Sequence, residues 1–172
     1  MPNSNINESA WKTLIDCETF LKIIPCSHGP HLTREKTATA LKITAVRILA
    51  ELGDIRRFSN PNKINAFVGI DPGRYQSGEK DSSLRISKHG NAVARKILYR
   101  AIGQIDLAAK TSPCHIADYY ERKKQFSQTK GFKKIAIASI HKLLRTVYIL
   151  IITDQMYDYN VANNNQKDFC RN

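Results

Sequence analysis

The residues best suited to chemistry lie in one glycine-rich run, A-F-V-G-I-D-P-G-R-Y-Q-S-G-E-K, from Ala66 to Lys80. Ser77 is followed by Gly78, whose missing side chain lets a bulky backbone approach the hydroxyl. Arg74, Lys80, Arg85 and Lys88 surround it in sequence. A serine attacking a phosphodiester needs its hydroxyl in line with the leaving oxygen, cations on the non-bridging oxygens, and a proton acceptor. The run can meet the first two needs locally. Spacing does not choose the acceptor among Asp71, Glu79 and His89. On residue types alone a Ser-Gly pair in a loop is more often a turn, and Ser82, Ser83 and Ser87 stand close by.

The elements that must position this run are mostly helical. Trp11 to Ile24 has apolar residues at helical spacing and is stopped by Pro25. Thr33 is placed to cap a long helix whose apolar positions include Ala40, Leu41, Ala45, Ile48, Leu49 and Leu52, ended by Gly53. Residues 54–90 are broken by Pro61, Gly69, Pro72, Gly73, Gly78 and Gly90, which predicts loops with at most short strands around Ala66–Ile70. Asn91 caps a helix to about Ala109 that buries Val93, Ile97, Leu98, Ala101, Ile102 and Ile105. Ser112–Pro113 opens a helix to about Phe126. A last helix follows Gly131 to about Asp154, with Ile135, Ala138, Leu143, Leu144, Val147 and Ile151 inward. The Asn-rich tail after Tyr157 has the composition of a disordered segment. The expected fold is mainly α: a small helical domain with a glycine-rich loop segment, preceded by a degenerate helical-hairpin region. Its parts are residues 1–60, 61–157 and a tail at 158–172.

Charge narrows the partners. The 172 residues hold 27 Lys and Arg against 15 Asp and Glu, a formal net +12. From Arg74 to Arg145 there are 16 basic and 5 acidic residues, so that stretch carries +11 of the excess. Concentrated basic charge attracts polyphosphate and releases its counterions, which points to nucleic acid. Cys17, Cys26, Cys114 and Cys170 form no C-x-x-C pair and no secretory signal opens the chain, so a reducing, cytoplasmic setting is expected. Cys26, His28 and His31 lack the second paired motif of a zinc site, and no metal ligand is assigned. The apolar run from Val147 to Ile152 is far short of the ~20 residues of a membrane span and reads as a buried helix segment.

A series of motifs in order resembles the insertion sequence 110 family of transposases. These are G-I-D-P at Gly69–Pro72, Q-S-G at Gln76–Gly78, I-S-K-H-G-N at Ile86–Asn91 and R-K-I-L-Y-R-A at Arg95–Ala101. Ile43–Phe58 upstream, and Tyr119–Lys123 and Lys133–Arg145 downstream, extend the likeness over roughly residues 42–155. The resemblance implies DNA excision and integration guided by a non-coding RNA, through a transient phosphoserine link. Ser77 stands in the nucleophile's position. Arg74, Lys80, Arg85, Lys88 and Arg95 stand as phosphate contacts, and Gln76, Gly78 and Asn91 complete the nucleic-acid set. The resemblance also implies a homo-oligomer, and Mg²⁺ held by carboxylates of an N-terminal RuvC-like domain.

Two departures shape the expectation. No segment here resembles that carboxylate-bearing domain, so the chain is expected to be a truncated copy, inactive alone. The family's I-P-G-x-G followed closely by T-A is also altered. Ile24–Pro25 leads into Cys26, and Ile43–Thr44–Ala45 comes only after an intervening stretch. The competing reading is a basic helical module that binds DNA or RNA without cutting it. Tyr119 and Tyr120 read as helix packing, and His141 as a partly buried polar residue.

Overall fold

The computed structural model describes residues 32–77, 80–110, 113–126 and 131–162, with backbone alone for 32–38 and 73–85. Among these, the elements follow in order: α1 (Leu32–Leu52), a 3₁₀ turn (Ile55–Arg57), α2 (Pro61–Val68), β1 (Pro72–Ser77), β2 (Lys80–Ile86), α3 (Ala92–Ala109), α4 (His115–Phe126) and α5 (Phe132–Thr153), with residues 159–162 helical again. The architecture is mainly α, as expected. The Trp11–Ile24 helix, the Cys26/His28/His31 group, the altered hairpin at Ile24–Pro25 and the tail beyond residue 162 lie outside the described residues.

Local signals explain most boundaries. Gly53 ends α1 at φ 66°, and its N–H donates to Leu49 O at 2.8 Å. Thr33 lies inside the first turn of α1 instead of capping it, because Leu32 is already helical. Asn91 Oδ1 accepts from Val93 N and Ala94 N at 2.9 and 3.0 Å, the expected cap of α3. Asp154, in the left-handed region, closes α5. Of the expected Ser112–Pro113 start, Ser112 lies outside the described residues and Pro113 precedes the helix: α4 begins at His115, and Cys114 O takes the first helical bond from Asp118 N at 3.0 Å.

Residues 54–90 differ from expectation. The strand expected around Ala66–Ile70 is helix α2. Asn60 Oδ1 accepts from Lys63 N at 3.0 Å, Pro61 takes the first turn, and Gly69 closes the helix at φ 75°. The glycine-rich loop is an antiparallel hairpin pairing Ser77 with Lys80, Gln76 with Asp81, Tyr75 with Ser82 and Arg74 with Ser83. The register shifts between Pro72 and Arg74, so β2 carries one extra residue there.

One apolar cluster runs from Leu41 in α1 to Ile151 in α5. α1 packs on α3, while α5 packs on α4, α2 and α3. Ile97, Leu98, Ala101, Ile102 and Ile105 of α3 are buried as expected, whereas Val93 is 51% exposed and its inward place is taken by Ala94. Ala138 of α5 is half-buried. By length and composition α5 could cross a membrane. Here its apolar face is the core wall, with Ile140, Leu143, Leu144 and Val147 almost fully buried. Arg57 ties the α1 end to α2: its Nη2 donates to Leu52 O at 2.8 Å, and its guanidinium lies 4.6 and 4.9 Å from the rings of Phe58 and Phe67.

Candidate active site and nucleic-acid interface

The hairpin stands on a neck built largely of backbone. Gly69 ends α2, and a Cβ added there would meet Gly90 N at 2.5 Å. A Cβ on Gly90 would overlap Phe67 O and Gly69 N. The two glycines therefore let the incoming and outgoing chains touch. Hydrogen bonds stitch that contact: Asn91 N to Phe67 O at 2.8 Å, Lys88 N to Gly69 O at 3.1 Å and Ser87 N to Asp71 O at 3.0 Å. Ser87 Oγ donates to Asp71 Oδ1 at 2.6 Å. Lys88 itself is held at φ 58°, a conformation non-glycine residues adopt at a cost. G-I-D-P and I-S-K-H-G-N are thus the two halves of one clasp.

Two helices brace the clasp. His141 of α5 donates from Nε2 to Ile70 O at 3.0 Å, since a carbonyl can only accept. Burial pushes the His141 pKa down, against the Ile70 carbonyl and the Asp71 carboxylate, which pull it up. From α3, Arg95 Nη1 donates to Val68 O at 2.8 Å, and Nδ2 of its cap, Asn91, donates to Glu51 Oε2 of α1 at 2.9 Å.

The sequence-derived site residues therefore fall into groups. Arg74, Gln76, Ser77, Lys80 and Arg85 are in the strands, with Ser77 the last residue of β1 and paired with Lys80. Gly78 and Glu79 lie outside the described residues. Lys88, Asn91 and Arg95 sit at the neck, where Asn91 and Arg95 already make internal hydrogen bonds. Ser77 is five residues beyond Pro72, or about 16 Å at ~3.3 Å per residue. Asp71 and His89 flank the strands at the foot, so neither is brought beside Ser77 by this chain's fold. Among the described residues no three His, Cys, Asp or Glu side chains gather as a metal site. The Mg²⁺ implied by the resemblance therefore has no ligand set there.

Residues 41–121, which contain this neck and hairpin whole, match the Transposase IS116/IS110/IS902 family. This stretch belongs to the transposase IS116/IS110/IS902 family. A curated relative, the transposase for insertion sequence element IS1111A of Coxiella burnetii (strain RSA 493 / Nine Mile phase I), is 26% identical over 119 residues. That alignment covers 67% of this chain and 31% of that protein's length. The IS116/IS110/IS902 segment ends inside α4, at Glu121. His141, which braces the neck, comes from α5 beyond it.

A second feature was not picked out from sequence. α2, α4, α5 and the chain after α5 enclose a cleft of about 1000 Å³. Arg122, Lys123, Lys142 and Arg145 line it, with Tyr119 and Asn65. All four cations lie in the +11 stretch, yet only the packing of α4 on α5 puts them on one side. Tyr119, expected as packing alone, is half-buried and has the ammonium groups of Lys142 and Lys123 at 4.8 and 5.7 Å from its ring. The cleft's end is closed by Tyr157. Its hydroxyl donates to His115 Nδ1 at 2.6 Å and accepts from His115 N at 3.3 Å. Thr146 Oγ1 spends its proton on Lys142 O, so His115 Nε2–H donates to Thr146 at 3.3 Å. His115 is therefore neutral, and burial first, then the Lys142 ammonium, push its pKa down to about 4.

Proposed function

We propose that this chain is the serine-bearing part of a DNA transposase, with Ser77 as its nucleophile. The observation that carries the proposal is the place of Ser77 at the far end of β1, on an arm whose clasp lies inside the family stretch. Such an arm offers a hydroxyl to a substrate outside the helical body. A base removes the Ser77 proton, the Oγ–P bond forms, and the P–O bond to the leaving deoxyribose oxygen breaks; that oxygen takes up a proton. Attack by another sugar hydroxyl on the phosphoserine then rejoins strands and restores the serine. Lys80, paired with Ser77, and Arg74, three residues back along β1, supply cations for the non-bridging oxygens. Gln76 and Gly78 belong to the same contact, while Arg85, near the foot of β2, serves phosphates further along the strand. The base comes from outside the neck, because Asp71 and His89 stand a strand's length away. DNA is the substrate; an RNA guide, a second protomer and a cytoplasmic setting come from the resemblance and the composition.

The test is strand cleavage on labelled donor DNA, with the carboxylate-bearing domain implied by the resemblance supplied in trans. The parent chain forms a covalent protein–DNA adduct that survives denaturing electrophoresis, and Ser77→Ala forms none. An adduct of equal yield from Ser77→Ala refutes the assignment. DNA binding without any adduct from the parent leaves the non-catalytic binding module as the function.

A further inference from the structure

We infer that the cleft between α4 and α5 is a binding site for a single-stranded polynucleotide, separate from the Ser77 hairpin. Three observations meet there. The rim is cationic: Arg122, Lys123, Lys142 and Arg145 line the cleft against one carboxylate, Asp158. Arg122 and Arg145 are exposed and make no ion pair among the described residues. The floor is apolar and aromatic, with Tyr119, Ile149, Leu150 and Met156. Met156 and Ile149 are 68% and 46% exposed, so this apolar surface has no cover within the described chain. Finally, Asn65 lines the cleft at 8% exposure, and its buried Oδ1 has no hydrogen-bond partner.

Each observation selects the same chemistry. A cationic rim holds phosphates, an apolar floor with a tyrosine accepts an unstacked base, and the orphan Asn65 amide oxygen takes an N–H from a base edge once its side chain turns into the cleft. A duplex keeps its bases stacked inside and can use only the rim. An unpaired strand uses all three. Lys142 and Lys123, now over the Tyr119 ring, can turn to phosphate when a base takes that face. His141 links the cleft to the foot of the hairpin: it lines the one and bonds to Ile70 O in the other. A strand lying there is led toward the arm that carries Ser77. The inference does not depend on the serine chemistry.

Fluorescence anisotropy with labelled 12-nucleotide oligo-U and oligo-dT and a duplex of the same length tests it on the full chain. Arg122→Glu/Arg145→Glu should weaken single-strand binding at least tenfold and lower the slope of log affinity against log salt by about 1.4, from ~0.7 per phosphate contact. The control Lys96→Glu/Arg100→Glu makes the same charge change on α3, outside the cleft, and should weaken it less than threefold. Tyr119→Leu should cost about fivefold or more for single strands and leave the duplex unchanged. Thermal melts of each variant report folding, and the arginine pair tests the site even if Tyr119→Leu does not fold. Stronger binding of oligo-U assigns the strand as RNA and stronger binding of oligo-dT as DNA; either supports the site. Equal weakening by both charge reversals, or displacement of the oligonucleotide by polyglutamate as readily as by unlabelled strand, overturns it.

Discussion

Gly90→Ala tests the neck by adding one methyl group. No positive φ is required at Gly90, so the perturbation is purely steric. The new Cβ would overlap Phe67 O, Gly69 N and Val68 C, all backbone atoms that cannot rotate away. Relief requires the two chains to part by about 1 Å, since carbon and oxygen rest in contact near ~3.2 Å or more. The bonds across that seam, Asn91 N to Phe67 O at 2.8 Å and Lys88 N to Gly69 O at 3.1 Å, then pass out of hydrogen-bonding range. Two lost bonds cost about 2 kcal/mol, and overpacking adds roughly 1–3 kcal/mol. Alanine's stiffer unfolded chain returns about 0.5–1 kcal/mol. The expected net loss is about 3 kcal/mol, read as a lower urea midpoint at unchanged slope and a melting point lower by roughly 6–12 °C. Hydrogen exchange at Lys88 and Asn91 should quicken more than in α3. A loss below about 0.5 kcal/mol, the level of an ordinary surface change, would refute the backbone clasp.

Gly103→Ala is the contrasting substitution: the position is exposed within α3, a Cβ there meets nothing within 4 Å, and urea unfolding should show a gain of about 0.5–1 kcal/mol. His115 should titrate by NMR near 4, against an ordinary value of 6.5, and a midpoint above about 6 would contradict its neutral, buried bonding. Because its folded pKa is lowered, the unfolded chain binds the extra proton. Stability is therefore full above about pH 6.5 and falls toward pH 4 by about 3 kcal/mol. His115→Gln should flatten that part of the pH–stability curve.

Much of the chain's order was written locally. The Gly53 stop, the Asn91 cap and the Asp154 end of α5 follow from contacts within a turn, and such contacts act whatever the rest of the chain does. The buried stripe of α3 followed from its period, apart from the exchange of Val93 for Ala94 and the further burial of Ala108. α2 escaped because it is only eight residues long, although its Asn60–Pro61 start and Gly69 stop were present. The hairpin escaped because Pro72, Gly73 and Gly78 read as breakers, while strands are stabilised by a partner rather than by their own residues.

By itself, then, the sequence determined a mainly helical chain with a concentrated basic stretch and an ordered motif series holding Ser77 between glycines and cations. Only the tertiary structure decided that Gly69 and Gly90, 21 positions apart, meet and make one neck out of two motifs. It alone set Ser77 at the far end of an arm, away from Asp71 and His89. It also gathered Asn65, Tyr119, Arg122 and Arg145 around one cleft. The physical reason is range. Caps and hydrophobic periods are interactions between residues a turn apart, whereas a clasp or a cleft exists only once loops have closed and helices have packed.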